Sequence, residues 1–494
     1  MSDNKIPAPA APYKPPKGKK SQHDIELGGQ RMEYTARADW MVLRKDDKPR
    51  AEMFYVSYLR SEGGSAGRPV TFVFNGGPGA SSAYLHVGAL GPQRVSFNTD
   101  GTPPKPPVQL LNNEESWLSF TDLVFIDPIG TGFSRMVQKD KEGDKKDAGD
   151  DGESKEYFQL KRDLESLGEF IQKFLSREKR WDSPVFIAGE SYGGFRVGKL
   201  ARLLQEGYGV GLNGAILISP ALEWMLLDPS DYDVLHWVDL FPSMAMAARH
   251  HARSRLGPQD NEGFRRAVEQ FAVTDYATAL VQGERLTEVE RTGVYQRVAD
   301  YLGLPVATVA LHSGRIPFHV FCRTLLKDER KVCGFYDATV TAIDPFPDRE
   351  THQAPDPTLY AIERVFAGGI NTQLRKNLDL ETERDYALLS MDVNTAWKVD
   401  TNDHAFERQV GATDDIRYAM SLNPHMNVFI THGLYDLVTP YFSSNRLVEH
   451  MKLQPEQRER ISLQHFDGGH MFYAWEASRQ AFHAAMSAFY RASV

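Results

Sequence analysis

The sequence predicts an α/β protein with a mostly parallel central sheet and an inserted, mainly helical cap domain. Two observations lead to this fold class. Short, continuously apolar segments alternate with helical patterns in the first and last parts of the chain, as in sheets whose parallel strands are joined by crossover helices. Between these parts, residues 220–404 contain helical segments but few strand-like runs. A chain of 494 residues is long enough for a large core and such an insertion.

The first part of the predicted sheet contains edge strands and central strands. Residues 24–59 alternate polar and apolar residues in short pieces, which indicates antiparallel strands at a sheet edge. Pro69–Phe74 and Leu123–Ile126 are continuously apolar and predict central strands. After a highly charged stretch, Lys139–Lys155, which is typical of a solvated loop, a helix is predicted over about Tyr157–Phe174.

A serine occupies the next strand-to-helix corner. The apolar run Val185–Ala188 stops abruptly at Gly189-Glu-Ser-Tyr-Gly193, and a helical pattern follows over Phe195–Glu206. The two glycines leave room for a tight turn, which exposes Ser191 at a helix N-terminus. The alternative, a serine in an ordinary glycine-rich turn, is disfavoured by the strand before it and the helix after it.

The sheet continues on both sides of the insertion. Asn213–Ser219 is the last predicted strand before it, and Asn427–Thr431 and Ile461–Phe466 are predicted strands after it. A closing amphipathic helix over about Ala474–Tyr490 covers the sheet. The helices predicted within the insertion are Ser243–Leu256, Asn261–Val273, Thr287–Leu302, Leu359–Phe366 and Thr372–Asn377.

These elements divide the chain into four regions. Residues 1–22, which begin with a segment rich in Pro, Ala and Lys, are predicted to be a disordered leader. Residues 23–219 form the first part of the core and 405–494 the second part. Residues 220–404, a size suited to a domain, form the helical cap.

Three chemically active residues follow predicted strands in the order Ser191, Asp436 and His470. Each lies just past the carboxyl end of its strand, where open α/β sheets place their sites, and this order is that of α/β-hydrolases. A serine hydroxyl is a weak nucleophile, so it needs His470 to accept its proton and Asp436 to orient the imidazole. Taken singly, the histidine is an ordinary polar residue and the aspartate a turn residue. Together, the three corners favour a catalytic triad.

A fourth corner predicts an oxyanion hole. The loop Asn75–Gly79 follows the strand ending at Phe74 and can aim a backbone N–H at a developing oxyanion. We assign the N–H groups of Gly77 and Tyr192 to this role. The alternative, a phosphate-binding loop, is disfavoured because the Lys-Ser/Thr ending of a P-loop is missing.

The motifs that carry a family resemblance are Asn75-Gly-Gly-Pro-Gly-Ala-Ser-Ser82 with Leu90-Gly-Pro92, Asp127-Pro-Ile-Gly-Thr-Gly-Phe-Ser134, Gly189-Glu-Ser-Tyr-Gly193, Gly433-Leu-Tyr-Asp436 and Gly468-Gly-His470. With them the chain resembles the serine carboxypeptidase family over most of the hydrolase core, and its departures from the family pattern resemble those of bacterial-type members. The resemblance implies release of C-terminal amino acids from peptides through an acyl-enzyme.

The resemblance also implies how a substrate's terminal carboxylate is bound. In the family the Asn of the glycine loop and the Glu before the nucleophile bind it, which corresponds to Asn75 and Glu190 here. A carboxyl group at an apolar corner, facing a second carboxylate, is shifted toward its protonated form and can donate a hydrogen bond. We therefore expect stronger binding of free-acid peptides at acidic pH.

Four positions depart from the family pattern when residues are counted without gaps from Asn75. Val73 stands where the family usually has Trp, and Ala89 where it has a second carboxylate-binding Glu. Ala80 replaces the usual Cys, and Pro128 takes the place of a Gln-Pro start. These departures leave the hydrolytic residues untouched but bear on C-terminal specificity.

Three functions are open at this stage. The favoured one is a serine carboxypeptidase acting on peptides. The second is an esterase, acyltransferase or other peptidase of the same fold. The third is a catalytically silent binding protein, which the complete Ser–Asp–His set disfavours. Acyl transfer of this kind needs no cofactor. No metal is expected either, because four histidines outside the triad lack metal-ligand spacing: His250, His251, His312 and His319.

Composition argues against several other classes of protein. The formal charge of −9, without a basic stripe, does not indicate nucleic-acid binding, and no apolar stretch approaches the roughly 20 residues of a membrane helix. Cys322 and Cys333 are expected to be unpaired buried thiols, one bridge being the alternative. The low cysteine count and the lack of an Asn-x-Ser/Thr acceptor indicate a cytoplasmic protein, with a periplasmic or secreted location as the alternative. The oligomeric state stays open, a homodimer included.

Overall fold

The computed structural model describes residues 13–61, 67–137, 156–227, 230–258, 260–349, 356–399 and 410–494. Within these ranges the largest element is a ten-stranded sheet. The strands are β1 (Lys19–Leu27), β2 (Gln30–Lys45), β3 (Lys48–Arg60), β4 (Val70–Phe74), β5 (Gln93–Val95), β6 (Leu110–Asn112), β7 (Asp122–Ile126), β8 (Arg135–Met136), β9 (Val185–Glu190), β10 (Gly214–Ile218), β11 (Lys331–Cys333), β12 (Thr341–Ile343), β13 (Asn427–Gly433) and β14 (Ile461–Phe466).

The main sheet joins an antiparallel edge to a parallel centre. Its strand order is β1-β2-β3-β7-β4-β9-β10-β13-β14, and β8 pairs with β3. The pairs from β1 to β7 are antiparallel, whereas those from β7 to β14 are parallel. The predicted edge and central strands are thus confirmed, and β9, which precedes Ser191, lies in the middle of the parallel part.

Helices cover both faces of the sheet. Neighbouring residues of a strand point to opposite faces: Ile187 packs in an apolar cluster with α1 and α2, and Phe186 packs in another with α13. No helix in the described ranges is both long and apolar enough to span a bilayer. The α-helices of six or more residues in the described ranges are α1 (Leu160–Arg177), α2 (Tyr192–Gly207), α3 (Leu235–His250), α4 (Asn261–Phe271), α5 (Ala277–Gln282), α6 (Glu288–Leu302), α7 (Val306–Leu311), α8 (Phe318–Thr324), α9 (Pro357–Asn371), α10 (Met391–Ala396), α11 (Thr413–Leu422), α12 (Tyr441–His450) and α13 (Glu476–Ser493).

The prediction of a disordered leader over residues 1–22 is wrong at its end. Residues 19–22 belong to β1, which pairs antiparallel with β2 at the sheet edge. From Lys19 onward, the residues of β1 alternate between partly buried and exposed positions. The start of β1 is polar and therefore shows no strand pattern in the sequence. An edge strand with a solvated side needs few apolar residues. Residues 1–12 and the predicted loop 139–155 lie outside the described residues.

The predicted cap packs in two different places. Phe241 of α3, Phe271 of α4 and Tyr301 of α6 share an apolar cluster that also includes core residues next to Asp436, among them Leu434 and Leu437. In contrast, Ile362 and Phe366 of α9 pack in the cluster that covers one face of the main sheet. An amphipathic pattern predicts that a helix has a buried face, but not which neighbour buries it. The boundaries 220 and 404 stay a prediction, and residue 404 lies outside the described residues.

Candidate active site

Ser191 lies on a sharp corner between β9 and α2. Its backbone angles, φ 63° and ψ −125°, are strained for a residue with a side chain, as expected of a nucleophile elbow. A Cβ atom on Gly189 would lie 2.2 Å from the carbonyl oxygen of Gly193, and one on Gly193 would lie 2.6 Å from that of Phe74. Close backbone approach therefore requires both glycines of the motif.

His470 and Asp436 form a buried pair. His470 Nδ1 lies 2.7 Å from Asp436 Oδ2, and Asp436 is 0% exposed. The carboxylate also accepts the backbone N–H groups of Val438 and Thr439 at 2.8 and 3.0 Å. Burial lowers the pKa of His470, but the charge and hydrogen bond of Asp436, together with the charge of Glu190, raise it above its ordinary value overall. This arrangement orients the imidazole as a general base requires.

The end of β10 connects the Ser191 corner to the His470 loop. The Ser191 N–H donates to the Ile218 carbonyl at 2.9 Å, and the Ser219 hydroxyl donates to the His470 carbonyl at 2.8 Å. Serine and histidine are therefore held at the same edge of the sheet. Among the described residues no hydrogen bond joins the Ser191 hydroxyl to His470. Catalytic hydrogen bonds are often long or poorly aligned until substrate binds. The catalytic role of the triad stays a prediction.

The glycine loop lies against the start of α2. A Cβ atom on Gly76 would lie 2.5 Å from the backbone nitrogen of Tyr192, the first residue of that helix. Gly77 follows with φ 97°, a conformation that favours glycine. The two segments predicted to supply oxyanion donors, Gly77 and Tyr192, are therefore neighbours at the Ser191 corner. Their role as donors stays a prediction.

Glu190 and Asn75 form a second buried pair beside the triad. Asn75 Nδ2 donates to Glu190 Oε2, while Asn75 Oδ1 accepts the Leu85 N–H at 3.0 Å. Glu190 Oε1 makes no hydrogen bond of normal geometry within the described residues. Burial is the main cause that raises the pKa of Glu190 to about 7, against a lowering by His470, and Asp436 contributes a smaller rise. The expected shift toward the protonated form is present, chiefly through burial.

Sequence reasoning misses two tyrosines beside Glu190. The hydroxyl groups of Tyr84 and Tyr473 are both buried. Burial raises the pKa of each phenol, and the charge of Glu190 raises it further. Tyr473 comes three residues after His470, which is a weak signal in the sequence, and Tyr84 carries no signal. Both become recognisable as neighbours of the site only in the folded chain.

A buried ion pair supports the elbow. Arg196 of α2 places Nε 2.7 Å from Asp163 Oδ2 and donates from Nη1 to the Asn75 carbonyl at 2.7 Å.

We expect Arg196→Met to lower the free energy of unfolding by about 3–5 kcal/mol, because it leaves a buried carboxylate without its partner. Urea unfolding measures this loss. As a control, Arg202→Met on the same helix breaks an exposed pair with Glu206 and should cost at most about 1 kcal/mol. Equal losses would contradict the supporting role.

The other histidines and the two cysteines singled out in the sequence are not among the residues of the predicted triad. No group of three or more His, Cys, Asp or Glu in the described part of the chain could hold a metal ion. His251, one of the four histidines considered as metal ligands in the sequence, places Nε2 2.8 Å from the Ala338 carbonyl oxygen. Cys322 and Cys333 are buried free thiols, and burial raises the pKa of both.

Known proteins match part of this chain. Residues 30–236 match the family model described as serine carboxypeptidase. Serine carboxypeptidase-like 13 of Arabidopsis thaliana is 30% identical over 180 residues, which make up 35% of this chain and 37% of that protein. Pheromone-processing carboxypeptidase KEX1 of Saccharomyces cerevisiae is 33% identical over 157 residues, which make up 30% of this chain and 19% of that protein. Each match spans well under two thirds of the relative's own length.

A solved structure matches most of the chain. The crystal structure of KEX1(Δ)P, a prohormone-processing carboxypeptidase from Saccharomyces cerevisiae, covers 93% of this chain with a TM-score of 0.54, and 91% of that chain is covered in turn. The sequence identity is 16%, so this likeness bears on the fold alone. The chain therefore has the α/β-hydrolase fold, and its residues 30–236 match the serine carboxypeptidase family model.

Proposed function

We propose that this protein is a serine carboxypeptidase, which hydrolyses C-terminal peptide bonds through an acyl-enzyme formed on Ser191. The observation that carries the proposal is the hydrogen bond of 2.7 Å between His470 and Asp436, at the same sheet edge as the strained Ser191 corner. The family match over residues 30–236 supports a peptide as the substrate. The cytoplasmic location and the oligomeric state stay predictions.

The proposed reaction passes through an ester. His470 Nε2 takes the Ser191 proton as Oγ attacks the scissile carbonyl carbon, and Asp436 stabilises the imidazolium that forms. The N–H groups of Gly77 and Tyr192 stabilise the oxyanion. His470 then gives its proton to the leaving amine, and the C-terminal amino acid departs. Water, deprotonated by the same imidazole, hydrolyses the ester and restores the serine hydroxyl.

Asn75 and Glu190 are the proposed site for the substrate's terminal carboxylate. Asn75 Nδ2 carries two hydrogens; it gives one to Glu190 and keeps the other for a ligand. Protonated Glu190 can donate an O–H hydrogen bond to the same ligand. Because the pKa of Glu190 is about 7, the carboxyl ionises as the pH rises through that value. An ionised Glu190 repels the substrate carboxylate, so binding weakens toward alkaline pH.

We expect Glu190→Gln to remove most of the pH dependence of KM for a free-acid peptide. In the unaltered protein KM should rise above about pH 7, whereas glutamine stays neutral and keeps a donor at every pH. KM for a blocked dipeptide acid, measured from about pH 5 to about pH 9, tests this. Glu206→Gln, at an exposed position of α2, is the matched control and should reproduce the original profile. An unchanged KM profile in Glu190→Gln would rule out the proposed role.

A second function is a hydrolase or acyltransferase of the same fold without C-terminal specificity. Two buried apolar side chains favour it, Val73 in β4 and Ala89 in the π-helical turn His86–Leu90, because the family has Trp and Glu at these positions. Neither side chain can hydrogen-bond a carboxylate.

Paired substrates distinguish the two functions. A blocked dipeptide is offered as its free acid and as its C-terminal amide, and hydrolysis of each is followed by release of the terminal residue. We expect rapid cleavage of the acid and slow cleavage of the amide. Equal rates would contradict C-terminal specificity. If neither substrate is cleaved and a fluorophosphonate fails to label Ser191, the enzyme proposal itself is wrong.

A further inference from the structure

A short segment of the insertion contacts the loop that carries the catalytic acid. We call this segment, Phe335–Ala338, the bridging segment. The Leu437 N–H donates to the Phe335 carbonyl at 3.0 Å, and the Ala338 N–H donates to the Tyr435 carbonyl at 3.1 Å. These bonds flank Asp436 on both sides along the chain, so the bridging segment holds the acid loop in place.

The same segment contacts the loop that carries the base. The His470 N–H donates to the Tyr336 carbonyl at 2.5 Å, and the Tyr336 ring packs edge-on to the imidazole with ring centroids 5.4 Å apart. Asp337 Oδ2 accepts the Gly469 N–H at 2.9 Å and the Trp475 Nε1–H at 3.3 Å. One segment of four residues therefore joins the two loops that must meet for catalysis.

Asp337 is a buried carboxylate with hydrogen-bond donors on both oxygens. Its residue surface is 6% exposed, and burial raises its pKa. Oδ1 accepts from the Thr339 N–H at 3.0 Å and from the Thr339 hydroxyl at 2.5 Å, while Oδ2 takes the two donors of the base loop. A Cβ atom on Gly469 would lie 2.3 Å from the Asp337 Cβ. Burying a carboxylate is costly unless it is hydrogen-bonded. The Asp337 carboxylate therefore favours the loop conformation in which these donors reach it.

We propose that Asp337 is a positioning residue of the triad, which keeps His470 in hydrogen-bonding contact with Asp436 by fixing the Gly469–Trp475 loop. The bridging segment is itself held in place, because the Phe335 N–H donates to Oδ2 of Asp356 over a distance of 2.7 Å. Asp356 lies at the start of α9. The inference rests on the proposed function. The loss of rate expected on replacing Asp337 follows from geometry, because a misplacement of about 1 Å in a catalytic group can lower a rate about 100-fold.

A change in pH dependence reports on this positioning. Asp436 and Glu190 raise the pKa of His470 against the lowering by burial. If His470 moves away from Asp436, its pKa falls, and the acidic limb of the kcat/KM profile moves to lower pH. The charge of Asp337 itself acts on His251, Cys333 and Tyr435.

The test compares Asp337→Ala with two further variants. We expect Asp337→Ala to lower kcat about 10- to 100-fold with little change in KM, and to move the acidic limb of kcat/KM to lower pH. Asp337→Asn keeps one acceptor oxygen and should restore part of the rate. Thr341→Val, at an exposed position of β12, is the control and should match the unaltered protein. Rates are expressed per active site, counted by fluorophosphonate labelling.

The outcomes separate this inference from the proposed function. An unaltered protein that neither cleaves peptides nor takes the label refutes the proposed function. An active protein whose Asp337→Ala variant keeps kcat per labelled site and the same acidic limb refutes the inference alone. The inference is also refuted if Asp337→Ala lowers only the fraction of protein that takes the label and leaves the acidic limb of kcat/KM where it was. Such a result would mean that Asp337 stabilises the fold without positioning His470. If Asp337→Ala does not fold, Asp337→Asn and Trp475→Phe, which each remove part of the contact, decide by the same two readouts.

Discussion

The Ser191→Ala variant is expected to lose about 10⁶-fold in kcat while keeping its fold. The substitution removes the Oγ nucleophile but leaves the strained backbone, φ 63°, as it is, because alanine and serine share the same steric limits there. The glycine loop and the buried Glu190–Asn75 pair stay intact, so peptide binding should persist. Some rate above the uncatalysed reaction should also remain, since oxyanion donors act without the nucleophile.

Hydrolysis of a blocked dipeptide acid and labelling by a fluorophosphonate measure the loss in Ser191→Ala. Ser421→Ala, at an exposed position of α11, is the matched control and should keep full activity and labelling. Retention of more than about one hundredth of the rate in Ser191→Ala would place the nucleophile elsewhere, because removal of a true nucleophile costs far more.

The second large effect is expected for Asp436→Asn, with a loss of about 10⁴-fold in kcat. Every neighbour of this carboxylate is a donor: Oδ1 accepts the N–H groups of Val438 and Thr439, and Oδ2 accepts from the Thr439 hydroxyl and from His470 Nδ1. An amide NH₂ group in this position must therefore face a donor. His470 can meet it only with the tautomer that has its proton on Nε2, and that nitrogen then cannot accept the serine proton.

The rate of peptide hydrolysis across pH measures the effect of Asp436→Asn. Asp467→Asn lies on the same loop as His470 but at an exposed position, and it should leave kcat close to its original value. If Asp436→Asn stays within about tenfold of the original kcat, the imidazole is oriented by another group and the triad assignment is wrong.

Much of the site could be predicted because its signals are local. The Ser191 corner combines an apolar strand, two glycines and a helix within about twenty adjacent residues, and each can be recognised from composition and spacing. The Asp436 corner follows the mostly buried strand β13, and the His470 corner follows β14, whose polar and apolar residues alternate. Parallel strands present their carboxyl ends at one edge, so the meeting of these residues follows from topology.

Other features could not be predicted because their signals are not local. The start of β1, Lys19–His23, has no apolar residue that would mark it as a strand, although its pairing with β2 makes it part of one. The amphipathic pattern of α9 is the same whether it covers the sheet or the rest of the insertion. Tyr84, 106 positions from Glu190 along the chain, becomes its neighbour only through folding.

The amino-acid sequence by itself determined the parallel sheet, the serine corner and the order of Ser191, Asp436 and His470 after their strands, since each depends on residues that are neighbours along the chain. Only the tertiary structure decided which part of the insertion contacts the loops of Asp436 and His470. Asp337 and Gly469 are 132 positions apart, and their hydrogen bond leaves no periodic trace in the chain. Such a contact arises from the way the loops of the folded protein pack, which no local pattern encodes.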